Sequence, residues 1–425
     1  MKKGQLTRKH LKSLGIKDKQ KQNIFLNHSI EQKQNNIRDI PLPYRVYGEG
    51  NIESGAMKQM ENAMSLLVSV KGALMSDAHE GYGLPIGGVL ATCENIVIPY
   101  AVGVDIACRM CMSVFSYPVS ILQDEKDFLI KAISNNTYFG VGSECKNHLD
   151  TSTMDDERWS STKTLRDFKN LAFSQLGTSG GGNHFAEWGI LEIYQTDQLF
   201  NLQKGSYLAL LSHSGSRGFG ARICETYSAI AREKIKLDKH FKHLAWLDLN
   251  TQEGQEYWVA MNLAGDYASA NHHEIHNKIS MEFSEKPLLR IENHHNFAWK
   301  EKLSDGTDVI VHRKGATPAN RNSIGIIPGS MTQHGFVVKG KGNPESINSA
   351  SHGAGRVLSR TKAFKTIKHS DLNEQLQQAG VTLIGGNVDE APMVYKDIDS
   401  VMAYQDDLVT VLAKFTPKIV FMARK

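Results

Sequence analysis

The chain has 425 residues, of which 40% are hydrophobic and 22% are charged, and its formal net charge is +4. This composition excludes a mainly disordered chain, and five cysteines exclude a disulfide framework and favour a reducing compartment. No apolar run reaches the roughly 18 residues that a membrane span requires, and the basic N-terminus lacks the apolar segment of a secretory signal. We therefore expect a cytoplasmic, monomeric protein that does not enter a membrane.

The predicted elements mix helices and strands along the chain. Residues 1–40 are polar and basic, and we separate them as an N-terminal segment from the globular part, residues 41–425. Apolar spacing predicts amphipathic helices over 55–68 and over Ile398 to Leu412. Strands are predicted at 206–212, 308–312, 334–339 and 417–422. Residues 145–170 are polar and predict a surface insertion. The pattern indicates an α/β fold built as a single catalytic unit.

Basic residues are concentrated between Arg313 and Lys368. This window has ten Lys or Arg residues against one acid, Glu345. Such a local excess suits a polyanionic ligand, although a solvated basic face explains the charge equally well.

Five side chains with metal-binding chemistry lie in short loops that are rich in glycine or histidine: Asp105, Cys108, His184, His213 and His295. Carboxylate, thiolate and imidazole donors suit Mn²⁺, Zn²⁺ or Co²⁺ better than Mg²⁺ or Ca²⁺. Five donors exceed one tetrahedral zinc site, so two ions with a shared ligand are expected. A buried cysteine beside a capping aspartate is the alternative reading of Cys108.

A sixth loop, Ser351 to Arg360, places His352 before two glycines inside the basic window. Small neighbours admit a phosphate group close to the imidazole, which is a competent covalent nucleophile. Arg356 and Arg360 would neutralise charge during phosphoryl or nucleotidyl transfer. A loop histidine without a catalytic role remains the alternative at this point.

Two further patterns are not assigned to a site. His272 and His276 are spaced by four residues, but the zincin order is absent, so an exposed helix face is expected. The segment from Gly335 to Gly342 approaches a P-loop but has glycine where serine or threonine would bind Mg²⁺.

Long motifs in order along the chain resemble the RtcB family of RNA ligases from about residue 40 to the end. They are DAHEGYGLPIGG, VGVDIACRM, GTSGGGNHF, SHSGSRG, HHNFAW, RKGATPA, GIIPGSM, SHGAGRVLSRTKA and VYKDIDSVM. The resemblance implies an α/β fold with a metal and nucleotide cleft between β-rich walls. It also implies a ligase that uses GTP and two Mn²⁺ ions to join 2′,3′-cyclic-phosphate or 3′-phosphate RNA ends to 5′-hydroxyl ends.

The resemblance carries roles over to matching positions. The five metal-binding candidates match the two-ion ligands, with Cys108 bridging, and His352 matches the histidine that accepts GMP. Nucleotide-contacting positions are Asn183, Glu187, Asn296, Ser330, Ala354, Gly355, Tyr395 and Lys425. RNA-contacting positions are Arg217, Arg356 and Arg360. The implied RNA is broken or spliced tRNA, and an archease-like activator is the implied partner.

Two departures from the family pattern concern the nucleotide. Family members usually end in Val-Lys-Gly, whose lysine contacts guanine, whereas this chain ends Phe-Met-Ala-Arg-Lys425. Either Lys425 takes that role after a shift or the contact is missing. Family members often carry serine at the position of Gly335.

Two other functions compete with ligation. A two-metal RNA cyclic phosphodiesterase would need the metal ligands alone. A catalytically silent RNA-binding accessory protein would need neither these ligands nor His352, and it is disfavoured because all of them are present.

Overall fold

The computed structural model describes residue 19 and residues 36–194, 196 and 202–424. Its helices, numbered in chain order, are α1 Ser54–Met64, α2 Pro99–Val102, α3 Ile121–Asp124, α4 Lys126–Asn136, α5 Lys163–Gln175, α6 Arg217–Lys234, α7 Gln252–Ser280, α8 Arg360–Thr366, α9 His369–Ala379 and α10 Ile398–Ala403. Its strands are β1 Arg45–Val46, β2 Ser69–His79, β3 Ile86–Cys93, β4 Ile96–Val97, β5 Arg109–Phe115, β6 Tyr138–Phe139, β7 Thr178–Gly180, β8 Phe185–Ile193, β9 Gly205–Ser214, β10 Leu247–Asp248, β11 Leu289–His294, β12 Asn296–Lys302, β13 Asp308–Lys314, β14 Ala316–Pro318, β15 Ile324–Ile327, β16 Gly335–Gly340, β17 Ser349–Ser351, β18 Thr382–Ile384 and β19 Val409–Met422. This mixed composition confirms the α/β prediction.

The larger sheet has eight strands and curls until its edges meet. Seven strands follow the order β11-β5-β9-β8-β19-β16-β15, and β18 pairs in parallel with β19. Asn293 of β11 joins the two edges because its Oδ1 accepts from the Ile326 backbone N–H at 2.9 Å. Alternate residues of the strands fill the inner face, including Met112, Leu191, Leu211, Val337 and Phe415. The sheet is therefore nearly a barrel with an apolar interior.

The outer face of this sheet is covered by helix α7. Ile275 and Ile279 of the helix pack against Trp188 of β8 and Leu210 of β9. Thr251 caps the helix, since its hydroxyl accepts from the backbone N–H of Gly254. Both faces of β8 and β9 are thus buried, which explains why their polar residues need internal partners.

The smaller sheet has five strands in the order β1-β2-β3-β13-β12. Met60 and Met64 of α1 pack on one face against Leu74 and Leu90. The other face packs against residues from the C-terminal part of the chain, including Ala350 and Val401. Strand β2 is consequently buried on both sides along most of its length.

Two sequence predictions about local structure are wrong, and a third holds in part. The helix predicted from Ile398 ends at Ala403, and Leu412 lies in β19. Residues 145–170 lie mainly at the surface, but Trp159 and Leu165 are buried and pack into a helical core. His272 and His276 are fully buried rather than exposed.

Within the described residues, no helix is both long enough and apolar enough to cross a membrane. Apart from residue 19 and residues 36–40, the predicted N-terminal segment lies outside the described residues.

Candidate active site

The structure brings together the five side chains that the sequence predicts as metal ligands. The sulfur of Cys108 lies 3.0 Å from Nε2 of His213 and 3.5 Å from Nε2 of His184. Nε2 of His295 lies 3.3 Å from Nε2 of His213, and Oδ2 of Asp105 lies 2.9 Å from Nε2 of His184. The donors form two triads, Asp105-Cys108-His184 and Cys108-His213-His295, which share the Cys108 sulfur.

Strand register explains why these loops converge. His213 of β9 pairs with Met110 of β5 on one side and with Phe185 of β8 on the other. His184 therefore directly precedes a strand residue beside His213. Cys108 directly precedes β5, and its carbonyl accepts from the His295 backbone N–H at 3.0 Å. The donors come from distant parts of the sequence but from one end of one sheet.

The hydrogen bonds on the far sides of the His184 and His213 rings orient both Nε2 atoms toward the other metal-ligand candidates. The Nδ1–H of His213 donates to the carbonyl of Asn183 at 3.0 Å, and that of His184 donates to the carbonyl of Ser179 at 2.8 Å. Each ring therefore turns its Nε2 toward the Asp105 carboxylate or the Cys108 sulfur. Imidazole nitrogens, a carboxylate and a sulfur brought together in this way form a donor set that fits a bound divalent cation.

Protonation states support this fit. Burial, reinforced by the nearby His184, lowers the pKa of His213 to about 3, so the ring is neutral at physiological pH. Burial alone would raise the pKa of Asp105, but the interactions with His184, Cys108 and Arg217 together outweigh burial and lower the pKa to about 2. Burial, and then the Asp105 charge, raise the pKa of the Cys108 thiol, so a cation would have to displace its proton.

His352 lies beside the metal-ligand cluster and is held by a residue that the sequence analysis did not single out. Its Nδ1–H donates to Oδ2 of Asp77 at 2.7 Å, and its backbone N–H donates to the same oxygen at 3.1 Å. The ring centroid lies 4.8 Å from that of His295. Since Nδ1 holds the proton, the lone pair of Nε2 is available for attack.

Asp77 was missed although it lies in a quoted motif. It is fully buried on β2, a strand that is otherwise mainly apolar. Burial raises the pKa of Asp77. The interactions with His352, Lys396 and His79 together outweigh burial, so the net pKa is lowered. An acid in the middle of a buried strand is the signal that identifies such a residue, because burial without a cationic or donor partner is costly.

His213, His295 and His352 line one wall of a cavity of about 570 Å³. This volume lies within the range of small-ligand sites. Six predicted nucleotide contacts line the same cavity: Asn183, Glu187, Ser330, Ala354, Gly355 and Tyr395. The Oγ of Ser330 is buried and has no hydrogen-bond partner within the described residues.

Glu187 forms part of the cavity wall, and its neighbours on the adjacent strands, Leu211 and Val420, also line the cavity. It is 5% exposed, and burial raises the pKa of its carboxyl well above the ordinary value. Among the described residues we find no hydrogen-bond donor to this carboxyl. A ligand with N–H donors would therefore satisfy it.

One predicted nucleotide contact, Asn296, lies outside the cavity. The amide of Asn296 donates to the Asp105 carbonyl at 3.2 Å and accepts from the Gly315 backbone N–H at 2.7 Å. This side chain braces the metal-ligand loop and does not line the cavity. Lys425 lies outside the described residues.

The glycine-rich loop is flanked by arginines. A Cβ atom at Gly180 would lie 2.0 Å from Nη1 of Arg217, and one at Gly182 would lie 2.9 Å from Nη2 of Arg360. The glycines thus make room for two guanidinium groups. Arg360 is also paired with Asp389 at 2.8 Å.

Arg356 lines the cavity but is engaged by protein groups. It lies over the ring of Tyr395 at 5.3 Å and donates to Glu390 at 3.1 Å.

Packing explains the glycine at position 335, because a Cβ atom there would lie 2.9 Å from Cα of Pro328.

Comparison with known proteins places the chain in a family. Residues 59–423 match the family model described as tRNA-splicing ligase RtcB. The RNA-splicing ligase RtcB of Escherichia coli (strain K12) is 32% identical over 400 residues, which cover 87% of this chain and 95% of the relative. The tRNA-splicing ligase RtcB of Methanococcus maripaludis is 30% identical over 444 residues, with 86% and 91% covered. The chain belongs to the RtcB family, and this confirms the assignment to a family of RNA-splicing ligases.

Proposed function

We propose that this protein is a GTP- and Mn²⁺-dependent RNA ligase that joins 2′,3′-cyclic-phosphate or 3′-phosphate ends to 5′-hydroxyl ends. The observation that carries the proposal is the position of His352. Its Nδ1–H donates to Asp77, and its ring shares a cavity with His213 and His295 of the metal-ligand cluster. Family membership supports the RNA substrate.

Asp105, Cys108, His184, His213 and His295 would hold two Mn²⁺ ions, with Zn²⁺ or Co²⁺ as substitutes. The soft sulfur and imidazole donors favour these ions over Mg²⁺. When bound, the ions supply Lewis acidity to phosphate oxygens.

His352 acts as the nucleophile in the first step that we propose. Its Nε2 bonds to the α-phosphorus of GTP while the bond to the pyrophosphate leaving group breaks. The ring then carries substituents on both nitrogens and is cationic. The Asp77 carboxylate stabilises this charge through the Nδ1–H hydrogen bond.

RNA enters in the later steps. Water opens a cyclic phosphate to a 3′-phosphate, whose oxygen attacks the phosphorus on His352 and releases Nε2. The 5′-hydroxyl oxygen then attacks the activated 3′-phosphorus, and GMP leaves. Arg217 and Arg360, on either side of the glycine-rich loop, are suited to bind the RNA phosphates.

A ligation assay separates this function from the phosphodiesterase alternative. The substrate is RNA with one cyclic-phosphate end and one 5′-hydroxyl end. We expect joined product only when GTP and Mn²⁺ are both present. Conversion of the cyclic phosphate to a 3′-phosphate with no joining, with or without an archease-like activator, would contradict the proposal. Broken or spliced tRNA is the natural substrate that we propose.

Replacing Glu187 with glutamine is expected to weaken GTP binding by about 10- to 100-fold. Guanine presents two adjacent N–H donors to a carboxylate, and a hydrogen bond to a charged group contributes about 1.5–3 kcal/mol. Adenine lacks this donor pair, so ATP binding should change little. The matched control is Glu192→Gln, which changes an exposed acid on the same strand, β8. Equal GTP affinity in Glu187→Gln and the wild type by calorimetry would contradict this role.

The same variant is expected to change the pH dependence of stability. Since the folded pKa of Glu187 lies above its unfolded value, this group favours folding at low pH, and the contribution is lost as the pH rises through the folded pKa. Glutamine does not titrate. The melting temperature of ligand-free Glu187→Gln relative to the wild type should therefore increase with pH, and parallel pH profiles would contradict the raised pKa.

A further inference from the structure

On strand β9, the side chain of the proposed metal ligand His213 faces the cavity, and the side chains before and after it face the opposite side of the sheet. Successive side chains of a strand point to opposite faces, so Ser212 and Ser214 point toward helix α7. There they meet His272 and His276, which lie one helical turn apart on α7. All of these side chains are nine-tenths buried or more. The proposed reaction uses none of them directly.

The polar atoms form a hydrogen-bonded chain whose direction is fixed by the Ser214 carbonyl. This carbonyl can only accept from Nε2 of His272, so Nδ1 of the neutral His272 ring accepts the one proton of the Ser212 hydroxyl, and Ser212 in turn accepts from His276. A guanidinium only donates, and Nε of Arg290 donates to the Ser113 hydroxyl at 3.2 Å. The Ser113 hydroxyl then donates to Nδ1 of His276 at 2.8 Å. His276 therefore bears its proton on Nε2, which donates to the Ser212 hydroxyl at 2.8 Å.

The second half of the chain reaches the metal-ligand loops. The Ser212 hydroxyl donates to Nδ1 of His272 at 2.7 Å, so His272 bears its proton on Nε2 and donates to the Ser214 carbonyl at 3.2 Å. The Ser214 hydroxyl donates to the Ser179 carbonyl at 2.7 Å. That same carbonyl accepts the Nδ1–H of His184, and so it fixes which nitrogen His184 presents to the cavity.

A third metal site is the competing reading of the same cluster. Cys111, His272 and His276 offer donor atoms that lie within 4.8 Å of one another. However, each ring nitrogen of the two histidines has a partner of complementary type, and the Ser212 hydroxyl bridges the two rings. The cavity cluster differs because the Nε2 atoms of its histidines face one another and a sulfur. The geometry favours hydrogen bonding over a third ion.

We propose that the chain Ser113-His276-Ser212-His272 is a positioning device for the metal ligands. It holds β9 on both sides of His213 and, through Ser214, the carbonyl that orients His184. This inference rests on the proposed two-ion site. Groups that orient metal ligands from outside the coordination shell typically contribute 10- to 100-fold to metal affinity.

The sharpest test removes the Ser212 hydroxyl and compares that variant with a variant of its cross-strand neighbour, Cys111. Ser212 of β9 pairs directly with Cys111 of β5, and both are fully buried. Ser212→Ala breaks the chain but keeps every metal donor, whereas Cys111→Ala removes the sulfur of the competing site and keeps the chain. Both variants of the full-length protein are titrated with Mn²⁺ by electron paramagnetic resonance. The visible spectrum of bound Co²⁺ and the ion count per chain are measured in parallel.

We expect Ser212→Ala to weaken Mn²⁺ binding by about 10- to 100-fold and to shift the Co²⁺ absorption bands, with Cys111→Ala unchanged. Mn²⁺ affinity and Co²⁺ bands in Ser212→Ala that match the wild type would overturn the inference. A lower ion count in Cys111→Ala, with Ser212→Ala unaffected, would overturn it in favour of a third metal site.

A second variant covers the case in which Ser212→Ala does not fold. Ser113→Ala cuts the chain at its far end, and we expect a smaller change in the same direction, while wild-type values would overturn the inference. Absence of Mn²⁺ binding in the wild type itself would instead overturn the proposed two-ion site, so failure of the two proposals is distinguishable.

Discussion

Cys108→Ala is expected to abolish RNA ligation, with a loss of at least about 10³-fold, corresponding to ~4 kcal/mol of transition-state stabilisation. The reason is geometric. The Cys108 sulfur belongs to both donor triads, so its removal weakens both ion sites, whereas loss of His295 or Asp105 would remove a donor from only one. We expect the Mn²⁺ count measured by mass spectrometry to fall from two per chain to one or fewer.

Cys224→Ala is the matched control for this experiment. Cys224 is also fully buried but lies in the helical core on α6, away from the donor cluster. We expect it to retain both ions and ligase activity after correction for folded fraction. Two tightly bound ions in Cys108→Ala would show that its sulfur is not a shared ligand.

Asp77→Ala is expected to slow guanylylation of His352 by about 10³- to 10⁴-fold. Asp77 accepts both the Nδ1–H and the backbone N–H of His352, so its removal frees the ring to rotate and to change tautomer. In serine proteases, disturbing the carboxylate that fixes a catalytic histidine lowers kcat by about 10⁴-fold. Single-turnover labelling with GTP measures the rate, and the Mn²⁺ count should stay at two.

The Asn variant removes the charge of Asp77 with little change in the shape of the side chain. Asp77→Asn keeps an oxygen that can accept from His352 but loses the negative charge that stabilises the cationic ring. Since the amide also presents N–H donors that favour the wrong tautomer of His352, we expect labelling about 10³- to 10⁴-fold slower than in the wild type, as for the same substitution in serine proteases. If Asp77→Ala labels at the wild-type rate, Asp77 does not orient the nucleophile.

The candidate site could be predicted from short sequence segments because each functional loop is continuous in the chain. Cys108, His184 and His352 stand among glycines and small residues that mark loops near a ligand. The convergence of Cys108 and His184 with His213 and His295 could not be predicted from spacing, since it depends on the register of β5, β8, β9 and β11 within one sheet.

The missed residues are polar groups whose partners are distant in sequence. The pair His272 and His276 was expected on an exposed helix face. In the structure it lies in the core, where the hydroxyls of Ser212 and Ser113, from two strands, form hydrogen bonds with the ring nitrogens. Sequence periodicity does not reveal such partners.

The C-terminal helix prediction failed for a different reason. Apolar residues up to Leu412 fit helical spacing, yet β19 pairs with β16 and β8 over a long stretch. Sheet hydrogen bonds with distant strands decide the conformation there and override the local pattern.

The measurement that tests the central claim most directly is covalent labelling with α-³²P-GTP and Mn²⁺, comparing the wild type with His352→Ala. We predict a label on the wild type that is labile to acid and stable to base, as a histidine phosphoramidate is, and no label on a folded His352→Ala that still binds Mn²⁺. A label of equal strength on His352→Ala, or no label on metal-bound wild type with GTP even after an archease-like activator is added, would contradict the account.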